Sequence, residues 1–352
     1  MSVMVTKVLG IVLALLIFSF IIIFHEFGHY FLARKNDVQV NEFTLGFGPT
    51  IIGKKIGETL FAWKLLPFGG CCAMEGEDDE SESDRAFCKK KVGQRFAIVF
   101  AGPFFNFILA YILAVVLLMC AGVDMPIISA VAENSGAEAA GLSEGDRITS
   151  MNGHHVFFYR DITLYMLMHQ GETVDVTYVR EGAKNTVTVT PELSEETGSY
   201  IMGIYGSGIR QKVNPIKALG YGFCEVRYWI GYVVDCLKMM ITGKVSANEI
   251  SGPVGIVQVI GNTVTESSQD GVFYVFLNLL NISILLSANL GVMNLLPFPA
   301  LDGGRLVFYI IEAIRHKKCD PRIENGVNFV GIIILFGLMF LILFNDVRKI
   351  FL

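Results

Sequence analysis

Charge is scarce in this sequence. Asp, Glu, Lys and Arg make up 17% of the 352 residues, where soluble domains carry about 25%. Hydrophobic residues make up 53%, and the mean hydropathy is +0.53. A single water-exposed globular domain does not accommodate that surplus, whereas a lipid bilayer does. Basic residues are short as well: 28 Lys and Arg stand against 33 Asp and Glu, which excludes a nucleic-acid binder with a broad basic face. Intrinsic disorder is excluded by the same apolar excess. The seven cysteines, Cys71, Cys72, Cys88, Cys120, Cys224, Cys236 and Cys319, are odd in number and scattered. No disulfide framework is readable from them, and no C-x-x-C pair suggests a cysteine zinc site. Histidine is rarer still, with six in the chain.

Against that background four long stretches lack charge: Val8 to Ala33 apart from one His-Glu pair, Phe96 to Val123, Val272 to Leu301, and Val327 to Asn345. Each approaches or exceeds the roughly 18–20 residues a spanning helix needs. The first is longer than the apolar part of a signal peptide, and no small-residue cleavage site follows it, so it reads as a retained helix. Ten Lys or Arg lie between Arg34 and Arg95. Five more, Arg305, Arg315, Lys317, Lys318 and Arg322, form a short link after the third stretch. The positive-inside rule puts both segments in the cytoplasm, which agrees with four crossings and leaves residues 124–271 outside.

The functional information lies in what interrupts the apolar stretches. Seventeen uncharged residues, Val8 to Phe24, run into His25-Glu26-Phe27-Gly28-His29. Ionisable groups at membrane depth are costly and are read first as functional. Residues four apart share one helical face, so His25 and His29 can offer two imidazole nitrogens to one metal. Glu26 is turned about 100° from His25, beside the metal and free to handle a water proton. This is the H-E-x-x-H pattern of zinc hydrolases. Catalytic zinc takes three protein ligands and keeps a fourth position open. Asp302 is the candidate third ligand, the one carboxylate at the end of the thirty-residue uncharged run from Val272 to Leu301. The alternative for Asp302 is an interfacial cap on a following helix. Pro297 and Pro299 interrupt the helix before it, and Gly303 and Gly304 allow close backbone approach.

These residues resemble the site-2 proteases, the intramembrane zinc metalloproteases. The likeness rests on HEFGH in the first stretch and NLLPFPALDGG from Asn294 to Gly304. GFGP at Gly46 to Pro49 with LLPFGGCCAMEGE at Leu65 to Glu77 is similar to the family's membrane-associated β-hairpin. AGPFFN at Ala101 to Asn106 resembles its second-span motif. The resemblance implies zinc bound by His25, His29 and Asp302, Glu26 as general base, and Asn294 holding the substrate backbone or the developing oxyanion. It also implies a multi-pass protein of the bacterial inner membrane, acting on single-span membrane proteins such as anti-sigma factors or signal-peptide remnants after another protease has trimmed them. Cys71-Cys72 stands where relatives often carry a Tyr-Val-like pair, so the hairpin is expected to pack differently there.

A buried peptide bond in a substrate helix must be unwound before it can be cut. The segment Thr44 to Met74 is the candidate strand edge to hold it; alternatively it is only a hairpin that packs the bundle. Between the second and third stretches the pattern changes to short alternating strands at Ile127–Val131, Asp146–Met151, Val174–Val179 and Thr186–Thr190, with a helix at Arg160–His169. Ala140 to Ile148 with Asn152-Gly153 resembles the Gly-Leu-x-x-Gly-Asp core of PDZ domains, which bind extended chain ends and could here take a peptide or protein partner or act as a size filter. His154 and His155 read as exposed polar residues beside its turn. Pro215 to Ile241 reads as an amphipathic helix at the membrane interface, with Tyr221 and Trp229 as anchors, and Ser251 to Gly255 as a turn.

The expected architecture is therefore a multi-pass α-helical membrane protein with about four transmembrane helices, a membrane-associated β-hairpin and an inserted α+β PDZ domain. Its divisions are residues 1–123, 124–195 (PDZ), 196–271 (amphipathic linker) and 272–352. A non-catalytic PDZ scaffold in the membrane is the alternative and predicts a broken metal triad. A membrane di-iron oxidase needs many more than six histidines.

Overall fold

The computed structural model describes residues 3–77, 81–195, 198–243 and 252–351. Two compact units emerge: Met1–Ala114 with Cys236–Leu352, and Val115–Asp235.

In the first unit, α1 (Val3–Lys35) is followed by β1 (Val40–Ile56), β2 (Thr59–Met74) and α2 (Val92–Ala121). The apolar run of α1 continues until Asn36 and Asp37. Asp37 adopts φ +52°, and Val38 N–H donates back to Ala33 O at 2.9 Å, the left-handed stop that satisfies last-turn carbonyls. Strands β1 and β2 form more than a simple hairpin. Residues 60–63 pair both with 42–45 and with 52–55, while 70–74 pair with 40–45, so the ribbon doubles back into four short rungs. The fold-over needs Gly46, which adopts φ +88° and whose Cβ would lie 2.3 Å from Leu66 O. The observed sheet begins at Val40, four residues before the expected Thr44. Phe47, Ile51, Ile52, Trp63, Leu65 and Leu66 at its far end are exposed.

Among the described residues, four helices are long and apolar enough to cross a membrane: Val8–Lys35, Val92–Ala121, Val272–Asn294 and Arg322–Lys349. The shortest, 23 residues, covers about 34 Å at 1.5 Å per residue, beyond the roughly 30 Å hydrocarbon core.

Two helices lie where the sequence suggested only connections. In the carboxy-terminal half the order is α6 (Pro253–Ser267), α7 (Val272–Asn294), α8 (Asp302–Arg315) and α9 (Pro321–Phe351). Helix α6 buries Ile260 with Ala14, Ile21, Leu109 and Leu286. Gly252 is its cap and Pro253 opens it, where a missing N–H costs nothing; Ser251 of the expected turn lies outside the described residues. Helix α8 replaces the expected cationic link. Its Leu306 and Tyr309 join Ala33, Val38, Phe87 and Ile98 in one cluster, and on the same face Arg305 pairs with Glu77 and Glu312 with the buried Arg95, while Val307, Ile310, Ile311 and Ile314 are exposed. Asp346 of α9 is buried and accepts from Gly252 N–H at 3.0 Å and Gly255 N–H at 2.9 Å, tying α9 to the start of α6.

The second unit contains β3 (Ile128–Val131), α3 (Gly136–Ala139), β4 (Arg147–Met151), β5 (His154–His155), α4 (Tyr159–Met168), β6 (Val174–Arg180), β7 (Ala183–Val189), β8 (Glu192–Leu193), β9 (Tyr200–Ile201) and β10 (Ile204–Gly206), then most of α5 (Pro215–Ile241). An antiparallel sheet in the order β5-β4-β6-β7 and a pair β10-β3 enclose Ile128, Ile148, Met151, Val174, Val176 and Met166. The strands and helix read between Ile127 and Thr190 are present within a few residues. The unit extends past residue 195, because β10 pairs with β3 and Met202 fills the core. Helix α5 has the expected bounds, but Trp229 is buried and donates from Nε1 to Glu225 at 3.1 Å. That buried carboxylate also pairs with Arg160, whose guanidinium lies 4.2 Å from the Tyr228 ring centroid. The indole therefore meets a protein carboxylate within the unit.

Asp146, in the Gly-Asp core, has no exposed surface. Arg180 Nε and Nη2 each donate to it at 2.7 Å, and Ser143 N–H at 2.9 Å. Burial pushes the carboxyl's pKa up, but the Arg180 guanidinium and the Ser143 amide outweigh burial and hold it below the usual carboxylate value. The resulting stability is fully present above an unfolded pKa of about 3.9 and is lost as pH falls through the lower folded value. Asp146→Asn should cost roughly 1–3 kcal/mol at pH 7 and flatten the acid limb of the stability curve. Thermal unfolding followed by Trp229 fluorescence in a Trp63→Phe background measures both; an unchanged midpoint at pH 7 would contradict this role.

Candidate metal centre

His25 and His29 lie one turn apart on α1 and are buried. Helix α2 crosses them at Gly102, where a Cβ would stand 2.3 Å from His29 Nε2 and 2.8 Å from His25 Cε1. Only a residue without a side chain lets the two helices approach this closely. His29 Nδ1 lies 2.9 Å from Ile98 O. A carbonyl only accepts, so Nδ1 donates and Nε2 presents its lone pair.

Asp302 opens α8 after a tight reversal. Ala300 adopts φ +74°, a strained conformation for a residue with a Cβ, and its N–H donates to Asn328 Oδ1 at 3.3 Å. A Cβ at Gly303 would lie 2.1 Å from Leu296 O, so the Gly-Gly pair does permit close approach. The reversal delivers Asp302 Oδ2 to 3.2 Å from His25 Nε2 and 3.5 Å from His29 Nε2, and the two nitrogens are 3.3 Å apart. Asp302 Oδ2 is buried and accepts no hydrogen bond.

The donor set fits a zinc ion. Zinc–nitrogen and zinc–oxygen bonds of about 2.0–2.2 Å in a tetrahedron set ligand atoms roughly 3.3–3.6 Å apart, close to the distances observed. Among the described residues these three form the one group of His, Cys, Asp or Glu assembled to hold a metal ion. Glu26 lines the same cavity, of about 600 Å³, together with Gly70–Glu77 along the last rung of the sheet. A Cβ at Gly70 would lie 2.7 Å from Glu26 Cγ, so that rung passes directly over the carboxylate. Asn294, the last residue of α7, places Nδ2 3.4 Å from His25 Nε2. Burial pushes the Cys71 thiol up to about 11, and the Glu26 and Glu77 carboxylates add to the shift. Cys71 therefore presents a neutral thiol to the cavity at neutral pH.

The sequence profile of Peptidase family M50 matches residues 13–338. The chain belongs to peptidase family M50. A putative zinc metalloprotease of Clostridium acetobutylicum is 38% identical, covering 96% of this chain and 97% of that protein. The zinc metalloprotease RasP of Geobacillus kaustophilus is 30% identical over 99% of this chain and 100% of its own length. The regulator of sigma-W protease RasP of Bacillus subtilis is 30% identical over 96% and 98%. The reading of the chain as a zinc metalloprotease therefore stands. A PDZ domain of an SdrC-like protein from Listeria monocytogenes aligns with 25% of this chain and 88% of its own at 20% identity, with a TM-score of 0.22, too low to bear on the fold.

Sequence reasoning attached no role to Gly102 or Asn106, which meet the histidines, or to Ser287, which donates to the Asn106 carbonyl. The AGPFFN motif held the signal for two of them. In this M50 peptidase, Gly102→Ala should lower zinc stoichiometry well below one per chain with the protein still monodisperse, as measured by metal analysis after gel filtration. Full occupancy in that variant would mean that α2 does not limit the space around the histidines.

Proposed function

We propose that this M50 metalloprotease is an intramembrane endopeptidase that hydrolyses single-span membrane proteins at the bacterial cell membrane. The observation that carries the reading is the coincidence, in one cavity, of a three-donor metal site, the Glu26 carboxylate and a strand rung, with His25, Glu26 and His29 on a helix able to cross a bilayer. The cationic segments around Arg34–Arg95 and Arg305–Arg322 support a four-crossing topology with the site toward the cytoplasmic side.

His25, His29 and Asp302 hold the zinc, which when bound supplies Lewis acidity toward water and the scissile carbonyl. Glu26 accepts the water proton and returns it to the leaving amine. Asn294, with its amide beside His25 Nε2, donates to the carbonyl oxygen as negative charge develops there. The substrate must arrive extended, because a helical carbonyl is already hydrogen-bonded. Rung 70–74 pairs with 40–45 alone among the described residues, and its other edge accepts the unwound segment as an added strand. The Val115–Asp235 unit serves as a PDZ domain that docks chain ends or screens out bulky ectodomains. The names of the RasP relatives support sigma-factor regulation as the setting, with an anti-sigma factor as a substrate class.

Glu26→Gln should keep one zinc per chain and slow cleavage of single-span substrates by about 10²–10⁴-fold. Asp302→Ala should lower zinc occupancy. Metal analysis and a cleavage assay on a substrate panel in detergent test both. Wild-type cleavage rates in Glu26→Gln would sink the mechanism, and full occupancy in Asp302→Ala would mean that the third ligand lies elsewhere.

A further inference from the structure

The two metal-site histidines are held from behind by different kinds of group. His29 Nδ1 faces the Ile98 carbonyl, which can only accept, so its tautomer is fixed with or without a metal. His25 Nδ1 faces the side-chain amide of Asn106, with Nδ2 3.1 Å away. Asn106 has no exposed surface, and its Oδ1 is buried with no hydrogen-bond partner. Its backbone carbonyl accepts from Ser287 Oγ of α7 at 2.8 Å, which fixes this point of α2 against α7.

An amide nitrogen only donates. With Nδ2 toward His25, that hydrogen bond needs an Nδ1 lone pair, which would leave the ring's own proton on Nε2. A ring in that state cannot ligate through Nε2. A half-turn of the Asn106 amide exchanges oxygen and nitrogen with almost no change of shape. Oδ1 then accepts from His25 Nδ1–H, and the Nε2 lone pair is released toward Asp302 and His29. The amide N–H₂ group moves to the position now held by Oδ1, where the oxygen has no partner either.

We infer that Asn106 is a positioning residue that selects the tautomer of His25, its Oδ1 accepting from Nδ1–H so that Nε2 is free to hold the metal. This rests on the zinc reading above.

The test uses the purified full-length chain in detergent, with zinc affinity measured by chelator competition and the ligand field read from the absorption bands of the cobalt-substituted protein. Asn106→Ala removes the acceptor and should weaken zinc binding by about 10–100-fold and alter the cobalt bands. Asn106→Asp supplies an acceptor in either orientation and should restore both the affinity and the bands. Asn106→Leu replaces Asn106→Ala should the smaller residue impair folding. Equal zinc affinity in wild type and Asn106→Ala would overturn the inference, as would an Asn106→Asp protein that is monodisperse yet no better than Asn106→Ala. Failure of the wild type itself to bind zinc would instead end the zinc reading, which separates the two.

Discussion

Three donor atoms, His25 Nε2, His29 Nε2 and Asp302 Oδ2, face one another across 3.2–3.5 Å. Lone pairs set that close repel unless a proton or cation lies among them, and in surroundings this buried there is little water to screen the repulsion. Much of the first unit serves to hold them there. The Asp302 carboxylate comes from a helix start 277 positions beyond His25 and is delivered by a reversal strained at Ala300. Such strain persists only where the surroundings over-determine it, and here the Gly303 contact, the Asn328 hydrogen bond and the buried face of α8 do so.

The same constraint explains where bulk is absent. A metal site in an apolar helical bundle needs neighbouring backbones close enough to supply carbonyls and amides, and Gly102 and Gly70 provide that approach from two sides. Gly102 brings α2 against both imidazoles, which puts Ile98 O and the Asn106 amide within hydrogen-bonding distance. Gly70 brings a strand edge over Glu26. The site is thus served by one main-chain carbonyl, Ile98 O, and by the uncharged side-chain amides of Asn106 and Asn294, in keeping with the scarcity of charge in the sequence.

The Val115–Asp235 unit depends on different forces. Its core is a conventional apolar cluster under an antiparallel sheet, and its buried charges, Asp146 with Arg180 and Glu225 with Arg160, are each compensated by a cation. Trp229 illustrates how composition misleads: in a membrane protein an aromatic on an amphipathic helix reads as an interfacial anchor, yet its N–H donates to a buried carboxylate of the same helix.

The chemistry of the first span was readable without a structure, because two histidines four apart on a helix share a face whatever surrounds them. The four apolar helices were readable because transfer to lipid is a property of composition, and strands β4, β6 and β7 because their alternation is local. Helix α8 was hidden because Arg305 and Arg315 within it, read with the cations that follow, suggested a short cationic link, and α6 by its place in a stretch expected to be linker. Strands β9 and β10 are two and three residues long, too short for any period to register. Sequence by itself determined the family and the spacing that sets the pair His25 and His29, with Glu26, on one helical turn. Only the tertiary structure decided that Asp302 reaches that pair, that a strand edge covers Glu26, and that Asn106 stands behind His25, since distances between residues far apart in the chain follow from packing and leave no periodicity in the sequence.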